Sequence, residues 1–258
     1  MEHNAVALRE RLELHALPDE LMGEAYEALG DRGRAVFKLC IARLHRLWGE
    51  LAPGEISDRR LAPDFRVVTE ERPADFALFV CEASYRHPAA LLAGVMPAIL
   101  AGVENIFPCF VSGNEGELPR PELLVAMELA GVERCFFLPA DDSAAFAYWL
   151  REAAEDGCLV VFGERSFGGD YALAAHYGGL ACRSFTSTPV FTCLGDGRPM
   201  WQGFENLLPG NAPVPQESEA GEGRSGGGLQ LDAEHADVWV WPDLSPAWFR
   251  RRGMRLTC

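Results

Sequence analysis

Residues 76–111 read FALFVCEASYRHPAALLAGVMPAILAGVENIFPCFV, and the fold follows from how this stretch alternates. Phe76–Cys81 is apolar without a break. A polar turn, Glu82–His87, comes next, and Pro88 then opens a helical run that reaches Ala101. Ile106–Val111 is apolar again. A strand that is apolar throughout has no face to offer water, so it belongs inside a parallel sheet covered by helices on both sides.

The same unit recurs downstream. Helices are predicted over Pro121–Ala130, Ser143–Ala154 and Asp170–Tyr177, and strands over Cys135–Leu138, Cys158–Phe162 and Leu180–Phe185. Regular alternation of this kind predicts five parallel strands with right-handed crossovers, all strand carboxyl ends meeting at one edge. Gly102 and Gly131 stand just past two of the helices, where a left-handed terminal residue belongs, and Pro121 sits at a helix start. Pro189–Cys193 is expected to add a sixth strand.

The two chain ends read differently. Leu21, Ala25 and Leu29, then Val36, Cys40, Leu44 and Leu47, repeat at helical spacing on either side of Gly30-Asp-Arg-Gly33. They predict either an antiparallel helix pair or one broken helix. Pro53–Pro63 reads as a connection. Pro209–Gly228 is rich in Pro, Gly, Glu and Ser and predicts a linker. Val238–Trp241 reads as a strand, with Ser245 capping a closing helix over Pro246–Arg252. The expected fold class is therefore α/β: a Rossmann-like parallel sheet with helices on both faces, plus a small helical or α+β subdomain from the two chain ends. The expected division is an N-terminal helical segment (1–70), the α/β domain (71–195), a flexible linker (196–230) and a strand-helix unit (231–258) packing on the N-terminal segment.

A formal net charge of −15 argues against nucleic acid as a partner. The dense cluster Arg250, Arg251, Arg252 and Arg255 reads as a solvated helix end. The longest apolar stretch, 89–103, contains Pro97 and falls short of the roughly 20 residues of a membrane span, so it reads as a buried helix. The first residues do not resemble a secretion signal, and the expected location is cytoplasmic. The eight cysteines include no Cys-x-x-Cys pair and are expected to be reduced, most of them in the core. The aromatics Trp239, Trp241, Trp248 and Phe249 read as subdomain core, with an exposed interaction patch as the alternative.

In open parallel sheets, ligands sit beyond the strand carboxyl ends. The candidates there are Glu82, Ser84, Tyr85 and His87 after the first strand and Asp141 and Asp142 after the third. Gly163, Glu164 and Ser166 follow the fourth, and Thr186 follows the fifth. Such loops can line a pocket for a small molecule. Their acids argue against an exposed polyphosphate, and Gly163–Gly169 matches neither dinucleotide-binding nor Walker patterns. His87 also reads as a helix-capping or surface residue.

The stretch Arg86–Ile106 resembles histidinol dehydrogenase, with Pro88, Pro97, Ala98, Ala101, Gly102 and Val103 at the matching places. Glu128-Leu-Ala-Gly-Val132 is similar to that family's next helix, and Ser143–Trp149 occupies the slot of its small-residue helix. The similarity runs from about Phe76 to Cys193. It implies Rossmann-like units akin to the aldehyde dehydrogenase superfamily and implies NAD as a cofactor. The family's Glu-His acid/base pair, in a Pro-Glu-His-Leu setting, has no counterpart here. Gly163–Ser166 replaces its Gly-Pro-Gly-Asn loop, and Leu138–Asp142 replaces Gly-Gly-Ala-Gln. Asp232-Ala-Glu-His235 resembles the family's zinc-binding Gln-Ala-Glu-His, with Asp232 in place of Gln, but two ligands do not make a site and zinc is not expected. The expectation is a truncated, divergent relative without the family's catalytic apparatus that binds a small metabolite or nucleotide. An NAD(P)-dependent oxidoreductase with a rearranged site and a non-catalytic interaction subunit are the alternatives. A homodimer stays open.

Overall fold

The computed structural model describes residues 3–49, 51, 54–62, 65–113, 117–139, 142–152, 156–163, 165–185, 191–194, 229–232 and 239–257. The chain opens with α1 (His3–Glu13) and α2 (Asp19–Trp48), followed by β1 (Glu55–Ala62) and β2 (Phe65–Pro73). The alternating part comprises β3 (Phe76–Glu82), α3 (Pro88–Leu100), β4 (Ile106–Val111), α4 (Pro121–Leu129), β5 (Phe136–Leu138), α5 (Ser143–Glu152), β6 (Gly157–Phe162), α6 (Arg165–Gly178) and β7 (Ala181–Phe185). Two short strands, β8 (Phe191–Leu194) and β9 (Leu229–Asp232), and a final strand, β10 (Arg250–Thr257), complete it.

Strands β3 to β7 form one parallel sheet in the order β5-β4-β3-β6-β7, as the apolar runs predict. From β3 the chain builds outward through β4 and β5, then returns to the other side of β3 to lay down β6 and β7. The order thus reverses between β3 and β6. Phe76–Cys81 is buried residue by residue. Ala77, Phe79 and Cys81 join the core under α2, α3 and α4. Phe76, Leu78 and Val80 join the core under α1, α5 and α6. Each large apolar side chain so enclosed contributes about 1.5–3 kcal/mol.

Gly102 and Gly131 adopt φ of 82° and 85°. Each closes its helix with paired bonds, Val103 N–H to Ala98 O at 3.1 Å and Val132 N–H to Met127 O at 3.0 Å. Of the two N-terminal readings, the broken helix is the one found. Gly30 leaves helical geometry within α2, and Arg34 Nη1 donates to the Tyr26 carbonyl that the break frees, at 2.5 Å. The turn between α1 and α2 covers the β5 edge, with Leu17 N–H bonded to Cys135 O and Phe137 N–H to His15 O.

Several expectations at the chain ends are corrected. The stretch 53–63, expected as a connection, carries β1, so the segment 1–70 is not purely helical. Trp239–Trp241 is not strand, and 246–252 is no helix: a single 3-10 turn (Pro246–Phe249) leads directly into β10. Ser245 makes no side-chain cap. The arginine cluster therefore lies along a strand, not at a helix end. β10 and β1 flank β2 in a three-stranded antiparallel sheet. For β10 the reason is long-range pairing with β2, which leaves no local pattern, whereas β1 and β2 form a hairpin whose strands are charged on both faces. β8 pairs with β9 in a separate two-stranded sheet and does not extend the parallel one. Trp239, Trp241 and Phe249 are buried, as the core reading expects. Residues 209–228, read as a linker, lie outside the described residues.

A polar clasp joins the two larger sheets. Arg72 reaches Asp75 at 2.5 Å and Asp156 at 2.9 Å, while Arg251 donates to Gly157 O at 2.6 Å. Among the described residues, no helix is long and apolar enough to cross a membrane.

Candidate functional site

The carboxyl ends of the parallel strands meet at one edge, and backbone bonds continue just past them. Ala83 N–H bonds to Val111 O at 2.8 Å, Ser112 N–H to Leu138 O at 3.0 Å, and Gly163 N–H to Phe185 O at 3.4 Å. The point of reversal between β3 and β6 lies within this edge, and open α/β sheets hold ligands at such a point. The loop leaving β3 there is Glu82–His87.

Tyr85 N–H bonds to Glu82 O at 2.9 Å, which folds the loop back and turns the Tyr85 ring into the protein. The ring lies 5.8 Å from Phe162 and makes an edge contact with His87 at 5.4 Å. Tyr85 is 8% exposed, and its hydroxyl has no hydrogen-bond partner. Burial, with a smaller contribution from Cys81, pushes the phenol pKa well above its usual value, so the group stays neutral. His87 occupies the position just before α3 without capping it, and its buried Nδ1 also lacks a partner. Burial lowers the His87 pKa, and the positive charges of Arg86 and Arg120 lower it further. At neutral pH the ring is an uncharged imidazole, able to donate from one nitrogen and accept at the other.

Two carboxylates flank Gly113, just past the end of β4. Glu82 Oε1 and Glu117 Oε2 each lie 3.9 Å from the place where a Cβ on Gly113 would stand. Behind the loop, Phe162 stacks on Phe185, and Phe185 stacks on Trp241 with ring centres 4.1 Å apart. The Trp241 indole donates to Ala90 O at 2.8 Å, tying this aromatic wall to the first turn of α3. The helix approaches closely because residue 94 is glycine: a Cβ there would stand 2.4 Å from Phe162 Cζ.

The structure thus brings together Glu82, Ser84, Tyr85 and His87, with Gly163 at the end of the neighbouring strand. Asp142 follows β5, two strands from β3 and about 10 Å away across the sheet. Asp141, Glu164, Thr186 and His235 lie outside the described residues. Ser166 is placed in α6 and Asp232 in β9 by their backbones alone. Sequence reasoning missed Glu117, Phe162 and Trp241 as neighbours of this site. The interior glycine at 94, within an apolar helix, was a readable sign of close approach to a neighbour.

No family model matches the chain. The histidinol dehydrogenase of Halobacterium salinarum is 28% identical over 138 residues, which cover 53% of this chain and 30% of that protein. Over that stretch the chain is similar to histidinol dehydrogenase. It spans less than a third of the length of that curated relative. Among solved structures, the histidinol dehydrogenase of Elizabethkingia anophelis superposes with a TM-score of 0.47 at 11% identity, covering 94% of this chain and 76% of that one. An aldehyde dehydrogenase of Mycobacterium tuberculosis complexed with NAD+ gives a TM-score of 0.41 at 16% identity, covering 76% and 40%.

The metal that the resemblance implies can be tested on the side chains present. Among the described residues, no three His, Cys, Asp or Glu side chains gather as metal ligands. The described residues do not fit a zinc ion.

Proposed function

We propose that this histidinol dehydrogenase relative binds a small metabolite or nucleotide at the β3–β6 strand ends and does not oxidise histidinol. One observation carries the reading. The Tyr85 hydroxyl and His87 Nδ1, two residues apart at the point of strand reversal, are both buried without hydrogen-bond partners. An unmet buried polar group costs about 1–3 kcal/mol, and a ligand that bonds to both recovers that loss. Neither group carries charge at neutral pH, so the pair suits a neutral polar group such as an amide, a hydroxyl or a heterocyclic base edge. Oxidation of an alcohol needs a positioned base and a group to stabilise the developing alkoxide. The absence of the family's Glu-His segment from the sequence supports a binding role over that chemistry.

A thermal-shift screen with NAD, NADP, nucleotides, amino alcohols and divalent metals tests the proposal. A nucleotide or polar metabolite is expected to raise the melting temperature of the wild type and to lose most of that effect in Tyr85→Phe. No shift with any compound would overturn it. The contact between His87 and Tyr85 favours a second reading, an NAD(P)-dependent oxidoreductase with a rearranged acid/base pair. NADH formation in the presence of an amino alcohol, abolished by His87→Gln, would establish that reading instead.

A further inference from the structure

The helices that follow β3 and β4 begin alike. The two strands are parallel neighbours, and α3 and α4 pack on the same face of the sheet, so their first turns lie side by side at the carboxyl edge. Each helix has proline at its start, and neither is capped by a side chain. The amides of an uncapped first turn give that end of a helix a partial positive charge.

An arginine stands before each helix. Arg120 immediately precedes α4, and Arg86 precedes His87 at the start of α3. Arg86 is exposed and has no carboxylate partner among the described residues. Arg120 reaches Glu122 only at 3.4 and 3.5 Å, the long end of hydrogen bonding. Both guanidiniums act electrostatically on His87, and among the described residues no carboxylate does. The Tyr85 ring stands against His87, and its hydroxyl is the buried, unpartnered group at this spot.

We infer that the ligand of this site carries a carboxylate, held by Arg86 and Arg120 at the starts of α3 and α4, beside the neutral polar group held by Tyr85 and His87. The inference rests on the reading of Tyr85 and His87 as ligand-binding groups, and it narrows the ligand to hydroxy acids and amide-bearing acids. Every group gathered around His87 can donate: the phenol O–H, an imidazole N–H, the guanidinium N–H groups and the helix amides. A carboxylate accepts at both oxygens and matches the fork of a guanidinium. A cationic ligand would meet two like charges and two positive helix ends. A polyphosphate would bring several negative charges toward Glu82 and Glu117, which flank Gly113 at the next strand end. One carboxylate answers the arginines without that repulsion.

Titration followed by NMR on the full chain tests the inference with matched probes: lactate against lactamide, N-acetylglycine against N-acetylglycinamide, and inorganic phosphate. Each acid is expected to bind wild type about tenfold or more tightly than its amide. Arg86→Gln and Arg120→Gln should each weaken the acids several-fold and leave the amides unchanged, which also shows that the site is still folded. Tyr85→Phe should weaken acid and amide alike. Equal binding of acid and amide, both weakened by Tyr85→Phe, would overturn the carboxylate and leave the Tyr85–His87 pair standing. Acids that depend on the arginines but are indifferent to Tyr85→Phe would overturn the role of the pair, and with it the combined ligand inferred here. Failure of both acids to bind, or tighter binding of phosphate with the same dependence on the arginines, would overturn the inference as well.

Discussion

The two larger sheets of this chain are built on opposite terms. Strands β3, β4 and β6 are apolar along their length and closed on both faces by helices. Strands β1, β2 and β10 carry charges in almost every row and keep exposed side chains such as Ile56, 73% exposed, and Met254. The first sheet is held by burial and sets the frame of the candidate site. The second is held by its backbone ladder and by the Arg72 and Arg251 clasp, and many of its side chains stay in water. The same change should therefore have very different consequences in the two.

The largest difference is expected from truncation of a fully buried ring. Phe162→Ala should lower unfolding free energy by about 3–5 kcal/mol, whereas Ile56→Ala on the exposed sheet should stay within about 0.5 kcal/mol. Chemical denaturation of both variants checks this, and similar losses would break the comparison. Next comes close packing. Gly94→Val drives a side chain into Phe162 and should cost about 1–3 kcal/mol by overpacking. Trp241→Phe keeps most of the ring stack but removes the indole's bond to Ala90 O and should cost about 1 kcal/mol.

A smaller effect concerns pH. The His87 pKa is lowered in the folded chain, so the unfolded chain takes up the proton first as pH falls. Stability from this group is complete above the ordinary histidine pKa of about 6.5. It declines as pH drops below that value, and the decline ends once the folded-state pKa is passed. His87→Gln should flatten that part of the stability profile, measured by denaturation at a series of pH values. An unchanged slope would mean that His87 is not held neutral.

The comparison also explains how much could be read in advance. Phe76–Cys81 and Cys158–Phe162 announce themselves because a strand buried on both faces must be apolar at every position. Strand β10, RRRGMRLT, has no such constraint. Its partner, β2, lies at the other end of the chain, and the pairing is made by backbone groups that any sequence possesses. The candidate site was legible in part for the same reason. Tyr85 and His87 follow a clear strand and could be placed at its carboxyl end. Trp241 reaches Phe185 and Ala90 from a segment without periodicity, and Glu117 comes near Gly113 only as the chain passes from β4 to α4. Nothing in their neighbourhoods along the chain records those contacts.

The central claim is that the unpartnered Tyr85 hydroxyl and His87 Nδ1 are the ligand-binding groups. Its most direct test is calorimetric titration of the best compound from the thermal screen into wild type, Tyr85→Phe and His87→Ala. One hydrogen bond is worth about 0.5–1.5 kcal/mol, so each substitution should weaken binding by about two- to tenfold, with circular dichroism showing the fold retained. Equal affinity in all three proteins would contradict the account and place the ligand elsewhere.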